Sequence, residues 1–122
     1  ERALWGEECT GNEVSTRYHD QGVTEVVVKS RAAPILVSRR NFYQEIPVDP
    51  VKTIVDATGA GDAFNAGYIF ARFKGYDLVN SVKLGSGSAA AVLRHPGAIG
   101  DRQKYLRELD DLVSRLRSLV RE

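Results

Sequence analysis

Seven residues constrain this chain more than any others: Asp56-Ala57-Thr58-Gly59-Ala60-Gly61-Asp62, placed directly before an apolar stretch from Ala63 to Lys74. Gly59-Ala60-Gly61 carry no large side chain, so their backbone N–H groups can turn together toward one anion. A helix starting there adds unpaired N–H groups and a positive dipole end. Asp62 then stands at the mouth of the nest, where a carboxylate can accept a hydrogen bond from an attacking hydroxyl. Residue types alone leave a second reading open, because Asp also caps helices and glycine turns precede many of them. The stretch is not a Walker loop, since no G-x-x-x-x-G-K-[ST] is present. It also departs from the dinucleotide fingerprint, because Phe64 stands where the third small residue belongs.

The flanking pattern predicts alternating elements. Thr10 to Gln21 is weakly helical, with Gly22 as its stop. Glu25-Val26-Val27-Val28-Lys29 is a β-branched run without alternation, which predicts a strand covered on both faces. Ile35 to Ser38 is a second strand, Arg39-Arg40-Asn41 a turn, and Phe42 to Val48 a return strand ending among prolines. The stretch Ala63 to Lys74 is apolar on most faces and is expected to be a buried helix ending at Gly75. Asp77 caps another helix running to about Leu93, broken by His95-Pro96-Gly97. Gly85-Ser86-Gly87-Ser88-Ala89-Ala90 within it fits G-x-G-x-x-A, but it follows helix rather than strand, so it is read as helix packing and not as a nicotinamide-cofactor site. Tyr105 to Val120 carries apolar residues at helical spacing and is expected to pack on the chain's own sheet. These elements predict an α/β layered fold.

Composition narrows the partners. The formal net charge is +1 and Lys and Arg are dispersed, so no basic stripe for nucleic acid or a membrane surface is present. Arg39-Arg40 reads as a solvated hairpin tip. No apolar run reaches the roughly 20 residues that span a bilayer, and no signal peptide is visible. Cys9 is the single cysteine, compatible with a reducing, cytoplasmic setting, and together with His19 and His95 it is read as structural. The chain begins at Glu1 and holds no Met, so it is read as part of a longer protein.

Asp56-Ala57-Thr58-Gly59-Ala60-Gly61-Asp62-Ala63-Phe64, followed by Ala66-Gly67, resembles the D-x-T-G-A-G-D-x-F-x-A-G signature of the ribokinase (PfkB-type) carbohydrate kinases. Val26-Val27-Val28-Lys29, Ala89-Ala90-Ala91 and Pro96-Gly97-Ala98 resemble further family segments in the same order. The resemblance covers nearly the whole chain. A narrower one, in Glu1 to Glu7 and Gly22 to Lys29, is to the 2-keto-3-deoxygluconate kinases.

The resemblance implies a ribokinase-like three-layer αβα sandwich with a mostly parallel sheet, of which residues 1–122 are the carboxy-terminal nucleotide-binding and catalytic part. It implies transfer of a phosphoryl group from ATP, with Mg2+, to a sugar or sugar-acid hydroxyl, with 2-keto-3-deoxygluconate and its 6-phosphate the leading pair. Fructokinase or ribokinase activity, or an inactive binding module of kinase ancestry, are the alternatives. By position Asp62 is the base, Gly59, Ala60 and Gly61 form the anion hole, and Thr58 and Asp56 shape the turn. Asp56 also lies near where many members hold a monovalent cation such as K+. Lys29, Ser30, Arg31 and Ser86 fall where the family binds the nucleotide. There the chain departs from the pattern: Lys29-Ser30-Arg31-Ala32-Ala33-Pro34 lacks the family's glycines. The family's sugar site lies mostly in an amino-terminal part and lid that these residues do not include, so the 122 residues alone are expected to be inactive. A homo-oligomer is left open for the full-length protein.

Overall fold

The computed structural model describes residues 4, 8–30, 34–98 and 101–120. The chain divides into two compact units, Glu1–Asp49 and Pro50–Glu122.

In the first unit, helix α1 (Gly11–Asp20) is followed by strands β1 (Glu25–Val28), β2 (Ile35–Arg39) and β3 (Phe42–Ile46). Helix α1 starts at a capping box. Thr10 Oγ1 accepts from the Glu13 N–H at 3.3 Å, and the Glu13 carboxylate accepts from the Thr10 N–H at 2.7 Å. That backbone bond, then the Thr10 hydroxyl, holds the Glu13 carboxyl below the usual carboxylate range. The helix stops where Gly22 takes φ +90° and its N–H reaches the His19 carbonyl. Loss of the cap in Thr10→Ala should lower the stability of this unit by about 1 kcal/mol, read by urea denaturation followed by circular dichroism.

The sheet has the order β1-β2-β3 and is antiparallel throughout. The expectation of a mostly parallel sheet is therefore not met among the described strands. An EVVV run has the same residue types in either orientation, so orientation is set by connection length rather than by the strand. Only Arg40 and Asn41 separate β2 from β3, and Asn41 takes φ +66°. The strand buried along its length is β2, through Ile35, Leu36, Val37 and Ser38, whereas β1 buries only Val26. The double coverage expected of β1 thus belongs to β2, the central one of the described strands.

A polar network joins α1 to β2. His19 Nδ1 donates to the Val23 carbonyl at 2.7 Å, and Nε2 shares a hydrogen bond with the Ser38 hydroxyl at 2.8 Å. Ser15 Oγ lies 2.5 Å from Ser38 Oγ. The structural reading of His19 is what this geometry shows.

The second unit is helical: α2 (Ala60–Phe73), α3 (Leu78–Leu93) and α4 (Arg102–Val120). Asp77 caps α3 by accepting from the Asn80 N–H at 2.7 Å. Helices α2 and α3 approach closely through glycines: a Cβ on Gly67 would meet the Leu84 carbonyl at 3.0 Å and the Ser88 side chain, and one on Gly85 would meet the Phe64 carbonyl at 2.9 Å. A Cβ on Gly87 would strike Leu112 of α4. The glycines of the G-x-G-x-x-A stretch are thus contact points between helices.

Two expectations are corrected here. Helix α4 packs through Leu116 onto Ala71 and Leu84, on helices rather than on a sheet. Helix α2 is not buried all round: Phe64, Gly67 and Ala71 are inside, while Ile69, Phe70 and Phe73 are exposed. Apolar composition shows that a face needs cover, but not that the cover lies in the same stretch of chain.

Candidate active site

Residues 50–59 form an irregular segment tied to the end of α3, with the Val55 N–H donating to the Leu93 carbonyl at 2.8 Å. The chain then turns into α2 through Gly59, whose φ of +79° is one that other residues rarely adopt. The helix begins at Ala60, three residues earlier than the apolar pattern indicates. Gly59 is the N-cap, Ala60 and Gly61 open the first turn, and Asp62 is the third helical residue rather than a residue before the helix.

Two contacts fix this entrance against the turn after α3. A Cβ on Gly59 would stand 2.8 Å from the Ala98 Cβ and 3.1 Å from its Cα. Asp56 bridges the same two segments: Oδ1 accepts from the Thr58 N–H at 2.9 Å, and Oδ2 accepts from the Gly97 N–H at 2.9 Å. Thr58, through its side chain and its N–H, and then the Gly97 N–H hold the Asp56 carboxyl below the usual carboxylate range. A depressed folded-state pKa means that this tie contributes fully above the ordinary value of 3.8 and is lost as pH falls through the lowered one. Asp56→Ala should therefore lower Tm at neutral pH and shrink the loss of Tm on acidification, read by thermal melts from pH 7 to about pH 2.

Asp62 is exposed and its charge sits in the first turn of α2, where the helix dipole favours an anion. The Ala60 N–H donates to the Ala57 carbonyl at a long 3.3 Å, and the Ala63 N–H to the Gly59 carbonyl at 2.9 Å. Asp56, Thr58, Gly59, Ala60, Gly61 and Asp62 therefore lie in one turn. Ser86 is half-buried on α3. Lys29 and Ser30 are exposed past the end of β1 in the first unit. Arg31 lies outside the described residues, as do Ala32, Ala33 and the stretches Glu1 to Ala3 and Trp5 to Glu7 that carry part of the narrower resemblance.

The sequence did not single out Gly97 as the partner of Asp56. The Pro96-Gly97 pair marked a turn, but nothing in it shows that its amide reaches a carboxylate 41 positions away. Beside that turn His95 is buried, its Nε2 lacks a hydrogen-bond partner among the described residues, and Glu108 Oε1 of α4 lies 3.9 Å away. Glu108 also pairs with Arg94 at 2.9 Å. The turn is thereby held from the α4 side as well.

Comparison with known proteins places this turn in a family. The family model for the pfkB family carbohydrate kinases matches residues 1–104. The chain belongs to that family. It is 39% identical over 106 residues to a 2-dehydro-3-deoxygluconokinase of Escherichia coli, covering 84% of this chain and 34% of the relative. A 2-dehydro-3-deoxygluconokinase of Dickeya dadantii is 40% identical over 102 residues, covering 81% and 33%. Among solved structures, a ribokinase from Thermotoga maritima superposes with a TM-score of 0.74 at 28% identity, covering 89% of this chain and 37% of that one. The fold is ribokinase-like, and this pfkB chain spans about a third of the length of the curated relatives it matches.

Proposed function

We propose that residues 1–122 are the nucleotide-phosphate and base-bearing part of one kinase domain that transfers the γ-phosphate of ATP to a hydroxyl of 2-keto-3-deoxygluconate, giving the 6-phosphate. The observation that carries the reading is the rigid entrance to α2: Gly59 held against Ala98, Asp56 held by Gly97, and Asp62 exposed one turn into the helix. Support for the acceptor comes from the names of the relatives, two of which are 2-dehydro-3-deoxygluconokinases.

In this reading the α2 amino terminus receives the transferring phosphoryl group through the amides of Gly59, Ala60 and Gly61. The long Ala60–Ala57 bond is weak enough for an anionic oxygen to replace it. Asp62 accepts the proton of the attacking hydroxyl as the bond to the γ-phosphorus forms and the bond to the β–γ bridging oxygen breaks, releasing ADP, so the acceptor becomes a better nucleophile without a free alkoxide. Thr58 and Asp56 hold the turn so that its amides need not reorganise. Mg2+ brought with the nucleotide would supply charge neutralisation for the phosphates. Asp56 has used one lone pair of each oxygen on an N–H, and the remaining hard oxygen character suits a monovalent cation such as K+.

One observation favours the inactive-module reading: Lys29-Ser30 and Pro34 flank a connection without glycine, and Pro34 offers no amide donor. Substituting this chain for the matched third of the Escherichia coli relative and assaying ATP-dependent phosphorylation separates the readings. Turnover of 2-keto-3-deoxygluconate above fructose and ribose supports the proposal. Turnover of fructose or ribose alone replaces the acceptor, and absence of turnover with all three favours the inactive module. The 122-residue chain by itself should give no turnover.

A further inference from the structure

Exposure rises across the three-stranded sheet. Strand β2 is buried from Ile35 to Ser38 and β1 is half-buried at three of its four positions, whereas Phe42, Tyr43, Gln44 and Glu45 of β3 are all exposed. Strand β3 pairs only with β2 among the described strands, so its outer edge presents backbone groups that no described strand meets. Which groups these are follows from the turn made by Arg40 and Asn41. Across a turn of that length the flanking pair, Arg39 and Phe42, exchanges both backbone bonds, and bonded pairs then recur at every second residue. Phe42, Gln44 and Ile46 therefore turn their N–H and C=O toward β2, and Tyr43 and Glu45 turn theirs outward.

We infer that a second copy of the chain docks on this outer edge, β3 against β3, antiparallel about a two-fold axis through Gln44. The contact needs neither nucleotide nor acceptor. Self-complementarity points to a second copy, since a two-fold contact must satisfy the same strand twice. With Gln44 on the axis, Tyr43 of each copy faces Glu45 of the other, and the outward N–H and C=O groups of these residues bond in both directions. The neighbouring registers fail. One opposes Glu45 to Glu45, with like charges together, and Tyr43 to Pro47, which has no N–H. The other opposes Glu45 to Asn41, whose φ of +66° is not that of a strand. Side chains favour the first register as well. The Tyr43 hydroxyl donates to Glu45 of its own chain at 3.2 Å, and the second copy sets another carboxylate beside the same ring. Phe42 meets the second copy's Ile46 as an apolar cross-strand pair. The hairpin is basic where β3 begins, at Arg39-Arg40, and acidic where it ends, at Glu45 and Asp49, so antiparallel copies bring opposite charges together.

Sedimentation equilibrium of the 122-residue chain is read from about 10 µM to 1 mM, because one strand edge buries less than a standard interface. A monomer–dimer equilibrium is expected. Tyr43→Pro keeps the pairing with β2, since the N–H it removes points outward, and should weaken the dimer on the order of 30-fold with the circular dichroism unchanged. Cross-linking reads the register. In a Cys9→Ser background, Gln44→Cys sets two thiols directly opposite across the axis, at a Cα separation of about 4.5 Å and within disulfide reach. Oxidised glutathione should then give a disulfide-linked dimer, whereas Glu45→Cys, which lies off the axis, should stay monomeric on a denaturing gel. Should Tyr43→Pro lose its fold, the cross-linking pair decides alone. A monomer across the whole range, a dimer that Tyr43→Pro leaves intact, or cross-linking through Glu45→Cys as readily as through Gln44→Cys overturns the inference.

Discussion

Asp62→Asn, made in the Escherichia coli kinase carrying this chain in place of its matched third, should lower kcat on the order of 1000-fold with little change in the KM for ATP. The substitution keeps size and shape but removes the site's ability to take a proton. The exposed position of Asp62 means that no buried network collapses when it changes. Removing a negative charge from the first turn of α2 affects stability only slightly, by about 0.3–1 kcal/mol. Phosphate binding should hold or improve, because a like charge beside the incoming phosphates is gone. A parallel fall in kcat and rise in KM would instead mean that Asp62 shapes the nucleotide site.

Gly59→Ala should be the most damaging single methyl in the second unit. It forces a non-glycine residue to φ +79° and drives a Cβ to within 2.8 Å of the Ala98 Cβ. The left-handed conformation costs about 1–2 kcal/mol and the overlap about another 1–3 kcal/mol, so a loss of roughly 2–5 kcal/mol is expected. Activity in the grafted kinase should fall by more than the stability loss explains, because relief of the overlap moves the amides proposed to receive the phosphate. Ala98→Gly removes the overlap but leaves the backbone strain. The double substitution should therefore recover about half of the stability in a denaturation-based cycle. Full recovery would show that φ is not limiting, and no recovery would show that Ala98 is not the obstacle.

What could be read in advance followed from local chemistry. Thr10 and Gly22 marked both ends of α1, Asp77 marked the start of α3, and the β-branched runs marked β1 and β2, because caps and strand preferences act within a few residues. What could not be read depended on distant partners. Orientation of the sheet, the cover on α2 and the seat of α4 on Ala71 and Leu84 are set by packing that short windows do not encode. The site divides the same way. Asp62 and the small residues before it were legible as a turn entering a helix, since small residues and a carboxylate at a helix start carry that meaning. The earlier helix start at Ala60 was hidden, because a left-handed Gly59 ends a loop and caps a helix at once. The Asp56–Gly97 bond joins positions with no sequence relation to each other.

Backbone amide shifts report whether the turn into α2 receives the nucleotide's transferring phosphate. The measurement titrates the Mg2+ complex of a non-hydrolysable ATP analogue into the 15N-labelled chain and follows each backbone N–H. The largest shifts are expected at Gly59, Ala60, Gly61 and Asp62, weakened in Gly59→Ala. Saturable shifts elsewhere that leave these four amides unmoved would contradict it.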